Sequence, residues 1–207
     1  AMSSRLDEAA QDFSATIRLH PEYANAWFNR AEVFMRQGKI DLAIENYSQA
    51  ISLDAEDAGF YAGRGKAYRL RGNFELSESD LNRALLLDDR LTKAHLQRGK
   101  MWLARGEYDN AAADFRAAVR NDPRSAEAFR CVAWMMATCK DEKFRDPKRS
   151  LQFAKKAIEL KGTEDFRLVD TMAAAHANAG QFNYAATEQQ RAIELAAGKA
   201  TGQELHE

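Results

Sequence analysis

The sequence predicts an all-α protein, a solenoid of antiparallel helix pairs, and three observations carry that prediction. Segments of the 207-residue chain overlay on one another at a spacing of about thirty-four residues. The runs Ala24 to Asp54, Ala58 to Asp88 and Thr92 to Asp122 align without a gap, so one unit is written three times. Within the repeats two apolar-periodic stretches flank a glycine: Gly38, Gly72, Gly106 and Gly180 in repeats one, two, three and five. Glycine takes the left-handed conformation that closes a helix, so each marks the end of a first helix A and the turn into a second helix B.

Taken in order, residues 4–23 read as an orphan helix B with its exit, because Ala9, Phe13, Leu19 and Pro21 stand at B-helix positions. Full repeats follow at 24–57, 58–91 and 92–125, then at 126–164 with a five-residue insertion, and at 165–197. About eleven helices result, in a single domain over 1–207. Ala43, Ala111 and Ala185 follow the glycine, and Ala50, Ala84, Ala118, Ala157 and Ala192 lie further along helix B. These small residues let helix B approach its neighbours closely. Trp27, Phe34, Tyr47, Tyr61, Tyr68, Trp102 and Phe115 fill the space between. The insertion after Cys139 places Phe144 among charges, where it is expected to be exposed, either on a tolerated loop extension or on a loop that contacts a partner. Asp146-Pro147 then supplies an N-cap and a proline at the first helical position. The polar tail 198–207 is expected to fray or to extend the last helix weakly.

This pattern resembles the tetratricopeptide repeat over nearly the whole chain. Repeat one carries Trp27, Ala31, Phe34, Ala43, Tyr47 and Ala50 at the family's signature positions, and repeat three carries Gly99, Trp102, Ala111, Phe115, Ala118 and Pro123. Ser77 and Leu81 in repeat two and Ala154 in repeat four depart from it. The resemblance implies a right-handed superhelix whose concave groove is lined by helix A. Carried over, those positions are Asn25, Phe28, Asn29, Glu32 and Arg36, then Gly59, Ala62, Gly63, Lys66 and Arg69, then Lys93, Leu96, Gln97 and Lys100, and finally Glu127, Arg130, Cys131 and Trp134. The middle of that row is basic at Lys66, Lys93, Lys100 and Arg130, with Phe28 and Trp134 as apolar anchors towards its ends. Of the residues with which one subclass grips a chaperone's C-terminal carboxylate, only Lys93 has a counterpart, so that clamp is not expected. The stretch Ala133 to Leu160 is similar to a variant found in some bacterial members, which points to a bacterial source.

A further expectation comes from the turn itself. Arg30, Arg64 and Arg98 occupy position seven of helix A, and Asn46, Asp80 and Asp114 occupy position twenty-three on helix B. Both lie eight residues from a turn centred at fifteen, so Arg64 is predicted to pair with Asp80 and Arg98 with Asp114. Repeat four has Val132 and Phe153 there.

Composition narrows function mainly by exclusion. A formal charge of −1 gives no general attraction to nucleic acid. No apolar stretch reaches the roughly twenty residues that span a bilayer, so no membrane insertion is expected. Cys131 and Cys139 lie too far apart on one helix for a disulfide and read as buried fillers, which fits a reducing compartment and favours the cytoplasm. Ala1-Met2 reads as an expression scar with the native N-terminus removed. Gly63 to Ala67 lacks the spacing and the hydroxyl of a phosphate loop, and its Arg-Gly-Lys recurs at Arg98 to Lys100. His20, His95, His176 and His206 are scattered, with His95 and His176 at core-aromatic positions. The reading is therefore a protein without catalytic, metal or cofactor site that binds a peptide or protein segment of acidic character. The alternatives are a module that self-assembles through its truncated N-terminal repeat, giving a homo-oligomer, and a regulatory fragment of a larger enzyme.

Overall fold

The structure, a computed structural model, describes the backbone of residues 2–204 and the side chains of 4–198. Those residues form eleven α-helices and one 3-10 turn, with no strand among them. Their packing divides the chain into two compact units, Ala1–Met101 and Trp102–Glu207.

The N-terminal unit holds α1 (Met2–Leu19), α2 (Ala24–Arg36), α3 (Ile40–Leu53), α4 (Ala58–Arg71), α5 (Phe74–Leu87) and most of α6 (Thr92–Arg105). Gly38 and Gly72 take positive φ at the turns after α2 and α4, the conformation for which the sequence supplies glycine there. Asp57 and Asn73 accept backbone N–H bonds at the starts of α4 and α5, satisfying donors that a helix leaves unpaired. One core cluster joins Ala31, Ala43, Ile44, Tyr47 and Ala67, and another joins Ala62, Leu81, Ala84 and Ala94. Full burial of a side chain such as Leu81 contributes about 1.5–3 kcal/mol.

Repeat two accounts for its own departures. A Cβ on Gly65 would stand 2.8 Å from Leu81 Cγ, so the glycine makes room for the leucine that replaces the aromatic. Ser77 is fully buried, and its hydroxyl donates to the Gly65 carbonyl at 2.8 Å. Its polarity therefore costs little. Helix α1 packs on α2, with Ile17 buried and Phe13 half-buried.

The C-terminal unit holds α7 (Tyr108–Asn121), α8 (Ala126–Thr138), a 3-10 turn (Glu142–Phe144), α9 (Pro147–Lys161), α10 (Phe166–Asn178) and α11 (Phe182–Glu204). Asp146 caps α9 with Pro147 in its first turn. Ala133, Ala154, Met172 and Ala175 form a core cluster. Ala154 departs from the repeat pattern because the ring sits one residue earlier: Phe153 meets Phe129 in a tilted pair with centroids 5.8 Å apart. Ser150 repeats the device of Ser77, donating to the Ala133 carbonyl at 3.0 Å. Cys131 and Cys139 are free and buried. Phe144 is half-buried rather than exposed, because the 3-10 turn lays its ring edge-on against Tyr108 at 5.9 Å. Helix α11 continues through the expected tail as far as Glu204, and the remainder, with His206, lies outside the described residues. Among the described residues no helix is long and apolar enough to cross a membrane.

Candidate functional site

In the N-terminal unit three inner-row positions converge on Tyr47. Its hydroxyl donates to Glu32 Oε1, which joins α3 to α2. Burial, reinforced by the Glu32 charge, holds the phenol well above its ordinary pKa, so it remains a donor and fixes the carboxylate as an acceptor. Gly63 lies beneath the ring, where a Cβ would come within 2.6 Å of Tyr47 Cε1. The Phe28 ring completes the group, with centroids 5.7 Å from Tyr47 and 5.1 Å from Phe60. Phe28 is half-buried while Asn25 and Asn29 remain exposed, so an aromatic surface is offered between two amides.

Further along the row, Arg69 Nη2 donates to Gln97 Oε1 at 3.2 Å, linking α4 to α6. Lys66 and Lys100 are half-buried and Lys93 is exposed. A half-buried lysine can lay its methylene stem on the helix surface and keep its ammonium in water.

A second constellation in this unit is built from arginines. Arg64 donates from Nε to Asp80 Oδ2 at 2.8 Å and from Nη2 to Asp80 Oδ1 at 2.9 Å. The same guanidinium donates from Nη1 to Ser48 Oγ at 3.0 Å, on the helix B before it. Arg30 repeats the arrangement with Asn46 at 2.8 Å and Ser14 at 3.0 Å, and Arg98 donates to Asn82 at 2.8 Å. The hydrogen bond from Arg64 to Asp80 raises the arginine's pKa, whereas burial beside neutral Asn46 lowers that of Arg30. The row Ser14, Ser48, Asn82 was missed by the two-helix argument, although its thirty-four-residue spacing is the same as that of the arginines. Arg98 and Asp114 lie in different compact units, and their pairing is a proposal.

The C-terminal unit uses charge locally. Arg130 donates from Nε and Nη2 to the two Glu127 carboxylate oxygens, each at 2.8 Å, and this bond lifts its pKa above the ordinary arginine value. Its charge therefore has a counter-ion one turn away, on the same row of α8. The pair was legible from its i,i+3 spacing. Trp134 is half-buried. Asp165, at the start of α10, accepts from Arg167 and Lys161, which holds its carboxyl far below the usual range, Arg167 contributing most. His95 and His176 are half-buried rather than core residues: His95 Nε2 lies 2.9 Å from the Asp89 carbonyl, and His176 stacks on Tyr184. Among the described residues no cluster of His, Cys, Asp or Glu could hold a metal ion.

A family model described as TPR repeat matches residues 31–72, and one described as tetratricopeptide repeat matches residues 64–126. No curated protein matches the chain. Among solved structures, a tetratricopeptide repeat protein from Parabacteroides merdae shares 19% identity over 99% of this chain and 77% of its own, at a TM-score of 0.73. The Cut9–Hcn1 hetero-tetramer of the APC/C gives 18% identity over 94% of this chain and 38% of the matched one, at 0.80. YrrB, a TPR protein with an unusual peptide-binding site, gives 18% identity over 90% and 93%, at 0.58.

Proposed function

The chain is a tetratricopeptide-repeat protein and hence a protein-interaction scaffold, and from that premise we propose that the inner row of its N-terminal unit binds an extended or helical segment of acidic character. The observation that carries this reading is the meeting of Phe28, Glu32 and Gly63 around Tyr47, on the same row as Lys66, Lys93 and Lys100. Phe28 supplies an apolar contact. Glu32 is already engaged by Tyr47, so its negative charge is partly spent within the protein. Gly63 lies buried under the Tyr47 ring and Ala62 is buried in a core cluster, so these two small residues make room for the protein's own packing and not for a ligand, while the lysines favour carboxylates. In the C-terminal unit Glu127, Arg130 and Trp134 form the corresponding row, whose charges compensate each other locally. The scaffold acts without catalysis, and the succession of repeats, with one insertion in repeat four, supports treating 1–207 as one functional domain.

The test is Lys66→Glu combined with Lys100→Glu. Circular dichroism should be unchanged, while affinity capture from the source lysate should lose the partner, and a poly-glutamate probe should bind the wild type alone. Probe binding should weaken from low salt to physiological salt, where the screening length is about 8 Å. Equal capture by both proteins would overturn the assignment and direct attention to the loop from Lys140 to Ser150.

A further inference from the structure

The starts of α7 and α11 are the same piece of the repeat, yet they are covered differently. At α7 a hollow of about 480 Å³ is lined by Gly106, Glu107, Tyr108, Asp109 and Asn110 and closed on its other side by Asp141, Lys143 and Phe144. The Phe144 ring meets Tyr108 edge-on at 5.9 Å, and Lys143 Nζ bonds Asp109 Oδ2 at 3.1 Å. At α11 the hollow, about 260 Å³, is lined by the corresponding five residues, Gly180, Gln181, Phe182, Asn183 and Tyr184. Phe182 is 71% exposed and Tyr184 is 65% exposed. At the equivalent position of α3, Ile40 is half-buried and packs, as Tyr68 of α4 does, against one core cluster. At α3 the aromatic side chain sits on the following helix, and at α7 it sits on the 3-10 turn that follows α8.

We propose that the start of α11 docks a partner protein that presents an aromatic side chain on a short turn, seated against Phe182 and Tyr184 as Phe144 is seated against Tyr108. The surrounding chemistry narrows the partner. Asn183 replaces Asp109, so the place taken by Lys143 suits a neutral hydrogen-bonding residue instead of a cation. Gln181, whose Oε1 lies 2.7 Å from His176 Nδ1, replaces Glu107 and removes a second negative charge. The site is thus an aromatic recess with a neutral polar rim, separate from the basic row of the N-terminal unit. Aromatic contacts of this kind are enriched among the few residues that dominate interface energetics.

The experiment titrates the ¹⁵N-labelled full chain with a synthetic peptide of residues 139–148 in which Lys143→Gln neutralises the cation. Expected are amide shifts centred on Gln181 to Tyr184. Affinity should fall about tenfold or more, the loss of one aromatic anchor, with a peptide carrying Phe144→Ala or a protein carrying Phe182→Ala. Phe182 is exposed, so its replacement should leave the fold intact, and the alanine peptide tests the same contact on the unaltered protein. Absence of shifts, or shifts centred on Gly106 to Asn110, would overturn the proposal. Concentration-dependent shifts at Phe182 without peptide would identify a second copy as the occupant and overturn the assignment to a partner turn.

Discussion

The two compact units place different residues at the same repeat position. Position seven is Arg30, Arg64 and Arg98 in the N-terminal unit but Val132 and Met172 in the C-terminal unit. In the first, each arginine reaches polar side chains on other helices, sixteen residues away in the chain. In the second, Val132 and Met172 are buried, and Arg130 and Arg167 bond carboxylates two or three residues away in the chain. The repeat geometry therefore demands that this position be filled and its polar atoms satisfied, not that it be charged. A directional fork and an apolar plug both meet that demand.

The comparison breaks most visibly at the plug. Met172→Ala removes a nearly fully buried side chain and should cost about 2–5 kcal/mol, read from the denaturant midpoint of the C-terminal unit. A loss below about 1 kcal/mol would show that the site collapses around the cavity and is not tightly packed.

A smaller effect separates the fork from the plug. Asp80→Ala leaves Arg64, whose side chain is 20% exposed, without its carboxylate. The cost should be about 1–3 kcal/mol, below the 3–5 typical of a fully buried broken pair. Arg64→Met with Asp80→Leu copies the C-terminal solution and should restore most of that loss. If the double variant is as unstable as Asp80→Ala, the two solutions are not interchangeable.

The smallest effect is in acid. Asp165 has its folded pKa depressed, first by the hydrogen bond from Arg167, so the folded state favours its ionised form. Its contribution is fully present above the unfolded pKa near 3.9 and is lost as pH falls from there towards the folded value. Below about pH 4 the wild type should therefore lose stability more steeply than Asp165→Asn, in thermal melts taken at intervals from pH 5 to pH 2. Parallel curves would remove the carboxylate from the account.

The helices were legible because a repeat states the same boundary several times, and the glycines mark the turns by a conformation that other residues resist. The bond from Arg64 to Asp80 was legible because symmetry about a turn is a property of sequence spacing alone. Two features were not. The reach of Arg64 to Ser48 depends on how consecutive repeats stack, and the bond from Tyr47 to Glu32 depends on which way a core phenol points. The burial of Phe144 was hidden for a third reason: its neighbours in sequence are charged, but its neighbour in space is Tyr108. On the candidate row, residue types could be assigned from the repeat phase, while the compensation of Arg130 by Glu127 came from local spacing that the repeat phase does not weigh.

The arginine fork also works as a gauge of loop length. Arg30 with Asn46, and Arg64 with Asp80, span tight turns of equal length. Adding one residue to such a turn and passing the shift into helix B would displace the acceptor by 1.5 Å and rotate it by about 100°. Repeat four, whose turn carries five extra residues, is also the one with Val132 and Phe153 in place of the fork. An apolar contact has no direction to lose, so that turn was free to lengthen into the segment that now shelters Tyr108. Engineered insertions should accordingly be tolerated between Cys139 and Asp146 and resisted between Arg36 and Ile40 or between Arg71 and Phe74.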